Sequence, residues 1–275
     1  MKQRIALAYS GSLESSAALA WLLERHDGAV VAVTLDVGQS GDLDDVRSRA
    51  LAAGALRAHV VDAREVFAQN YALPAMRNGV SGAAIAALAD PLIARALVDV
   101  AQIEAADAVA HAGRADERGA QLSGHVSVLD PSLRVLAPAD EWTMDAAQLA
   151  AFSRERGLPV VVDRPESNLL IRRSSDPARA PEGAALLDID FAGGLPVAIN
   201  GVTMTPAELI ESLSLIGGQY GLGFGDATPS PAAIVLGAAY RDAAGGNESV
   251  RVTLERGSYR VTAVRNHDSQ LVNHP

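Results

Sequence analysis

The 275-residue chain contains no cysteine, which excludes disulfides, thiolate metal sites and cysteine nucleophiles. Positive charge is scarce as well. Lys and Arg number 23 against 33 Asp and Glu, for a net charge of −10, and that argues against broad binding to nucleic acid or to anionic membrane surfaces. No apolar run reaches the length needed to span a bilayer, and the N-terminus lacks the pattern of a signal peptide, so a soluble cytoplasmic protein is expected. Aromatic residues make up only 4%. The six histidines (His26, His59, His111, His125, His267 and His274) are scattered. What remains is an alanine-rich chain, 49% hydrophobic, long enough for one large domain or two modest ones. Its expected partner is a small molecule or another protein.

Over residues 1–165 short β-branched runs alternate with longer amphipathic stretches, the pattern of βα units and a parallel sheet. Strands are predicted at Lys2–Tyr9, Ala29–Asp36, Arg57–Asp62, Ala108–His111, Arg134–Ala137 and Pro159–Asp163. Asp42 reads as the cap of a helix through Leu51, and Pro91–Ile103 as a strongly amphipathic helix. The fold class is therefore α/β, a doubly wound parallel sheet. Residues 166–185, rich in Pro, Ser and Arg, read as a linker or crossing loop. A smaller α+β domain follows over 186–275. It has a hairpin around Gly193-Gly194, an Asn200-Gly201 turn, a helix capped at Thr205 and ending at Gly217-Gly218, and a second hairpin at Val250–Leu254 and Ser258–Val264.

The first strand runs into a helix through Ser10-Gly11-Ser12. Such a turn cups an anion on the free N–H groups of a helix N-terminus. The stretch AYSGSLESS at 8–16 resembles the pyrophosphate-binding loop of the N-type ATP pyrophosphatases, and most closely the AYSGGLDTS of the argininosuccinate synthase family. The similarity continues in order through VTLDVGQ (33–39), ADPLIARAL (89–97), ADAVAH (106–111), LDPSLRVLAP (129–138), GGLPVAINGVTMTPAELIESLSLIGG (193–218) and VRVTLERGSYRV (250–261). It implies an adenine nucleotide alpha hydrolase-like fold. It also implies a nucleotide site made by Ala8, Ser10, Gly11, Ser12, Glu14, Ser15 and Ser16, with Leu35 and Asp36 after the second strand and Gly113 after the fourth. ATP and Mg²⁺ are the implied cofactors and Glu14 the implied metal ligand; the expected assembly of this chain is a homo-oligomer, a dimer. Ser12 stands where the family has a second glycine, which requires a negative φ there.

The acceptor side departs from the family. Where members read HGCTGKGNDQVRFE, this chain reads HAGRADERGAQLSG at 111–124, keeping His111 and Gly113. Positions that contact citrulline in the family are Gly82 and Ala86, an arginine has become Asp90, and in RPESNLLIRRS (164–174) only Asn168, Leu169 and Arg172 align. Each lost charge-assisted hydrogen bond costs about 1.5–3 kcal/mol. The resemblance also implies that the family's GVYE segment and its long C-terminal helical tail, which ties subunits into a tetramer, are shortened or absent, with Ala232–Arg241 what remains of the helix after that segment.

The expected function is an argininosuccinate synthase-like nucleotide-binding protein. As an enzyme it would be an ATP-dependent, AMP- and pyrophosphate-forming C–N ligase with altered or lost acceptor specificity. A catalytically inactive binding or structural partner subunit is the alternative. No catalytic residue is assigned and the acceptor is unknown; Asp90, Asp116 and Glu117 suggest a cationic one. Residues 112–124 are expected to form the acceptor loop, and Arg172, Arg173 and Arg179 an exposed basic stretch.

Overall fold

The computed structural model describes residues 3–26, 28–39, 42–80, 83–113, 117–142, 144–159, 174–225, 230–244 and 248–263. In chain order the elements are β1 (Gln3–Ala8), α1 (Leu13–Arg25), β2 (Gly28–Asp36), α2 (Leu43–Ala52), β3 (Arg57–Asp62), α3 (Arg64–Phe67), α4 (Leu73–Arg77), α5 (Ala83–Ala87), α6 (Asp90–Ile103), β4 (Ala108–Ala110), α7 (Glu117–Leu129), β5 (Arg134–Leu136), α8 (Pro138–Glu141) and α9 (Ala146–Glu155). They continue with β6 (Ala185–Ala192), β7 (Leu195–Ile199), β8 (Val202–Thr203), α10 (Pro206–Gln219), α11 (Pro231–Ala243), β9 (Ser249–Glu255) and β10 (Ser258–Ala263). A π-helical turn, Ala68–Ala72, joins α3 to α4. Two compact units form: Met1–Asp36, Gly41–Ala63 and Ala89–Pro165 make the first, and Val37–Ser40, Arg64–Leu88 and Glu166–Pro275 the second.

The first unit is built on a parallel sheet in the order β3-β2-β1-β4-β5. Its central strands read as continuous apolar runs because both faces are covered. On one face Ile5, Leu7, Val30, Ala32, Ala108 and Ala110 pack with the alanine-rich side of α1, with α2, and with Ala139, Trp142 and Leu149 from the α8–α9 region. On the other face Ala6, Val31, Val33 and Val109 meet α6 and α7. Trp21 and Trp142 meet edge to face, 6.3 Å between centroids. Asp42 caps α2 as predicted, accepting from the N–H groups of Asp44 and Asp45 at 2.9 and 3.2 Å. The predicted last strand at Pro159–Asp163 lies, beyond Pro159, outside the described residues.

The stretch read as an acceptor loop is helical from Glu117 to its end at Gly124, within α7. Leu122 and Val126, four residues apart, are buried on one face of α7 within the core it shares with α6, and that pairing drives the helix.

At the amino edge of this sheet sits a charge cluster. Glu104, which ends α6, has a side chain only 1% exposed. Arg57 Nη1 donates to both of its oxygens (3.0 and 2.9 Å), His59 Nε2 lies 2.8 Å from Oε1, and Arg4 Nη1 donates to its main-chain carbonyl. Burial opposes ionisation of Glu104. The hydrogen bonds from His59 and Arg57 outweigh it and hold the carboxyl below its ordinary value.

The second unit carries an antiparallel sheet, β10-β9-β6-β7-β8. Leu187, Ile189, Phe191, Val250, Val252 and Leu254 alternate onto its buried face, against which α11 packs. Asp188 and Arg251 pair at 2.6 Å, and the guanidinium holds the Asp188 carboxyl low. Asn200 (φ 51°) and Gly201 (φ 75°) make the tight turn between β7 and β8. Thr205 and Glu208 form the predicted capping box, and Glu65 reinforces it by accepting from the Thr205 hydroxyl and from the Ala207 N–H.

Helix α10 does not stop at Gly217-Gly218 but runs to Gln219. Gly217 serves packing instead: a Cβ there would stand 2.8 Å from Pro231 Cβ at the start of α11. Of the stretch 166–185, the described part 174–185 is fastened to the end of α10 by Ser175 N–H to Gly218 O at 2.9 Å and by the Ser174 hydroxyl to Leu222 O. Arg179 closes a short 3₁₀ turn there and is exposed. Arg172 and Arg173 lie outside the described residues.

Candidate functional site

The strand order 3-2-1-4-5 reverses direction between β1 and β4, and the helices that follow those strands cover opposite faces of the sheet. In open α/β sheets ligands bind in the crevice this leaves at the carboxyl ends of the strands. Here the crevice is bordered by residues 9–12 after β1 and 111–113 after β4.

The β1 exit is clamped before it turns. Tyr9 N–H donates to Val33 O at 2.9 Å, and Thr34 Oγ1 donates to Tyr9 O at 2.8 Å, tying the chain to β2. The Tyr9 hydroxyl lies 3.1 Å from Ser16 Oγ beneath the first turn of α1. Burial raises the Tyr9 phenol above its ordinary value, with the Ser16 hydrogen bond and Arg49 partly offsetting it.

The chain reverses at Gly11, with φ 73°. An L-residue in this left-handed conformation would cost roughly 1–2 kcal/mol. Its Cβ would also meet the Arg49 guanidinium, 3.2 Å from Nη2 and 3.4 Å from Nη1. Ser12 follows at φ −71° and ψ 167°, the negative φ that its side chain requires, and its Oγ caps α1 by accepting from Ser15 N–H at 3.3 Å.

Three hydroxyls converge on this turn. Ser12 Oγ lies 3.3 Å from both Ser10 Oγ and Ser15 Oγ, Ser10 Oγ lies 3.4 Å from Ser15 Oγ, and Ser10 N–H donates to Ser15 Oγ at 3.3 Å. Hydroxyl bonds are ordinarily about 2.7–2.8 Å. These contacts of the hydroxyls with one another are longer than that, and they cluster at the helix N-terminus, where an anion is favoured.

The family model of the arginosuccinate synthase N-terminal HUP domain matches residues 4–159, and that of the arginosuccinate synthase C-terminal domain matches residues 142–229. Among curated proteins, the argininosuccinate synthase of Oceanobacillus iheyensis is 37% identical over 253 residues, covering 81% of this chain and 60% of the relative. That of Nitratidesulfovibrio vulgaris is 37% identical over 252 residues (80% and 63%), and that of Streptococcus agalactiae serotype V is 32% identical over 287 residues (88% and 71%). The chain belongs to the argininosuccinate synthase family. It spans about three-fifths of the length of the first of these relatives.

The structure brings most of the residues expected from the family loop to one edge. Ala8 ends β1, Ser10 and Glu14 are exposed, Ser12 is half-buried, and Gly11 and Ser15 are buried within the turn. Ser16 is fully buried, with its hydroxyl turned inward to Tyr9. Leu35 and Asp36 close β2, the strand beside β1, and Gly113 is exposed just past β4, so all three strand ends open on the same edge.

His111 is buried behind Gly113, with its Nε2 2.9 Å from Ser123 Oγ and its N–H donating to Leu136 O at 3.1 Å. In the loop after β2, Gln39 Oε1 accepts from Val37 N–H at 2.8 Å. Among the described residues no group of three or more His, Asp or Glu could hold a metal. Gly82, Asp116, Asn168, Leu169 and Arg172, and the side chains of Ala86, Arg114, Glu117 and Arg118, lie outside the described residues. Asp90 is buried in the first turn of α6.

Sequence reasoning missed Thr34, which locks the loop's entry, and Arg49, which lies against Gly11. The Asp45–Arg49 spacing of i,i+4 was the available signal for the second.

Proposed function

We propose that this chain binds ATP with the loop Ser10–Ser16 and works as an AMP- and pyrophosphate-forming C–N ligase of the argininosuccinate synthase type, on an acceptor other than the citrulline and aspartate of the family. The observation that carries the reading is the left-handed Gly11 between two serines at the N-terminus of α1, beside the sheet's switch point. That turn offers backbone N–H groups and the clustered hydroxyls of Ser10, Ser12 and Ser15 to the terminal phosphates. Asp36 and Gly113, on the flanking strand ends, border the rest of the nucleotide.

Glu14, exposed in the first turn of α1, is the residue that would reach Mg²⁺. A lone carboxylate suits a cation carried in mainly by the phosphates, and the cation's contribution is to neutralise charge on the leaving pyrophosphate. The acceptor's oxygen would attack the α-phosphorus as the bond to the bridging oxygen breaks, and an amine would then displace AMP. The altered acceptor rests on the replaced residues at 82, 86, 90 and 114–124. The reading extends to a cytoplasmic homodimer, which light scattering tests.

Thermal unfolding with and without ATP and Mg²⁺ tests the first step. At millimolar ATP a micromolar site adds about 4 kcal/mol, and Gly11→Asp, which puts a negative charge in the turn, should abolish the gain. No shift in the wild type would end the nucleotide reading. The second reading, a binding-only partner subunit, is favoured by the loop's capping itself through Ser12. It requires ATP binding without pyrophosphate release under any acceptor, and release with one sinks it.

A further inference from the structure

We propose that Arg49 is the cation of the phosphate loop, donating from its guanidinium to the terminal phosphates of the bound nucleotide. The inference rests on the nucleotide reading of the loop. Arg49 projects from α2, where Asp45 fixes its Nε: the carboxylate Oδ2 lies at 3.1 Å and the Asp45 carbonyl at 3.4 Å. This leaves the two terminal nitrogens for another partner, and they lie over Gly11, within 3.2–3.4 Å of where a Cβ would stand. The side chain is only 14% exposed, and Nη1 is fully buried without a hydrogen-bond partner among the described residues.

A buried donor on a charged group is costly to leave unpaired. An oxyanion seated on the adjacent turn removes that cost, and the planar guanidinium suits a phosphate's paired oxygens. Gly11 then has a second role besides its backbone angle, since any side chain there would displace the guanidinium.

Isothermal titration of the full chain with ATP, AMP and inorganic pyrophosphate, in wild type, Arg49→Met and Arg49→Lys, tests this. Methionine keeps the apolar stem and removes the charge. ATP and pyrophosphate should bind Arg49→Met roughly 10- to 100-fold more weakly, the loss of one charge-assisted hydrogen bond. AMP, which lacks the terminal phosphates, should change less than about twofold, and Arg49→Lys should fall between. Unchanged ATP and pyrophosphate affinities in Arg49→Met overturn the assignment while leaving the loop reading intact. So does an equal loss for all three ligands accompanied by a lowered melting temperature, which would make Arg49 a packing residue. Absence of ATP and pyrophosphate binding in the wild type overturns both readings together.

Discussion

Replacing Glu104 with Gln tests the electrostatics of the first unit away from the crevice. The substitution keeps the size and one acceptor oxygen but removes a buried charge that takes two hydrogen bonds from Arg57 and one from His59. Fully desolvated, breaking such a cluster would cost about 3–5 kcal/mol. The cationic partners are not desolvated: Arg57 is 63% exposed and Arg4 38%, so water screens them when the carboxylate is lost. We expect about 2 kcal/mol at neutral pH, or about 4–8 °C in the melting temperature of a unit this size.

The pH dependence gives the reasoning its sign. Because the folded-state pKa of Glu104 lies below its ordinary value, its contribution is complete above the ordinary carboxylate range and disappears as pH falls through the lowered folded value. Wild type and Glu104→Gln should therefore differ at pH 7 and converge in strong acid. Urea unfolding followed by circular dichroism at a series of pH values reads this directly. A gap of the same size at every pH, or none at pH 7, would refute the assignment of the stabilisation to the ionised carboxylate.

Two further outcomes follow from local geometry. Ser12→Gly restores the glycine found in the family loop. It should cost only a few tenths of a kcal/mol as an N-cap, and it releases Ser15 N–H from its side-chain acceptor and removes one contact each from the Ser10 and Ser15 hydroxyls. The ATP-induced rise in melting temperature should then grow, and an equal or smaller rise would show that Ser12 does not compete with the ligand. Thr205→Ala removes the cap of α10 and the hydroxyl that donates to Glu65. A loss of about 1–2 kcal/mol is expected in denaturant unfolding, and a change below about 0.3 kcal/mol would contradict the cap's role.

Elements whose signals are local were legible in the sequence. The apolar run of β1, the β-branched runs of β2 and β3, the Asp42 cap, the Thr205 box and the Asn200-Gly201 turn each carry their cause within a few residues. Elements decided by distant partners were not. Gly217 and Gly218 look like a helix stop, and only the closeness of Pro231 reveals a packing role for Gly217. Glu117–Leu129 looks polar enough for a loop until Leu122 and Val126 find the core they share with α6. Residues 64–87 carry short helices that cluster with the second unit, although the sequence places them amid strands of the first. In the site, the loop's Gly11 could be read from the motif, but Arg49 is brought to it by the packing of α2, and its i,i+4 spacing from Asp45 marks an ion pair without saying that the guanidinium ends against Gly11.

The serine at position 12 sets a limit on how much the loop itself has diverged. A serine cap is worth about 1 kcal/mol over no cap, and little more than glycine in the same place. A phosphate must displace its contacts to Ser15 and Ser10, all near 3.3 Å and so individually weak. Against this, each charge-assisted bond from the loop's N–H groups or from Arg49 to an oxyanion is worth about 1.5–3 kcal/mol. The exchange favours the ligand, and the substitution lowers affinity by about tenfold at most. The change from glycine to serine is therefore too small to have ended nucleotide binding. The larger chemical differences fall on the acceptor side, where Gly82, Ala86, Asp90 and the residues after Gly113 stand in place of the family's polar grip, and the proposed change of acceptor rests on those positions rather than on the loop.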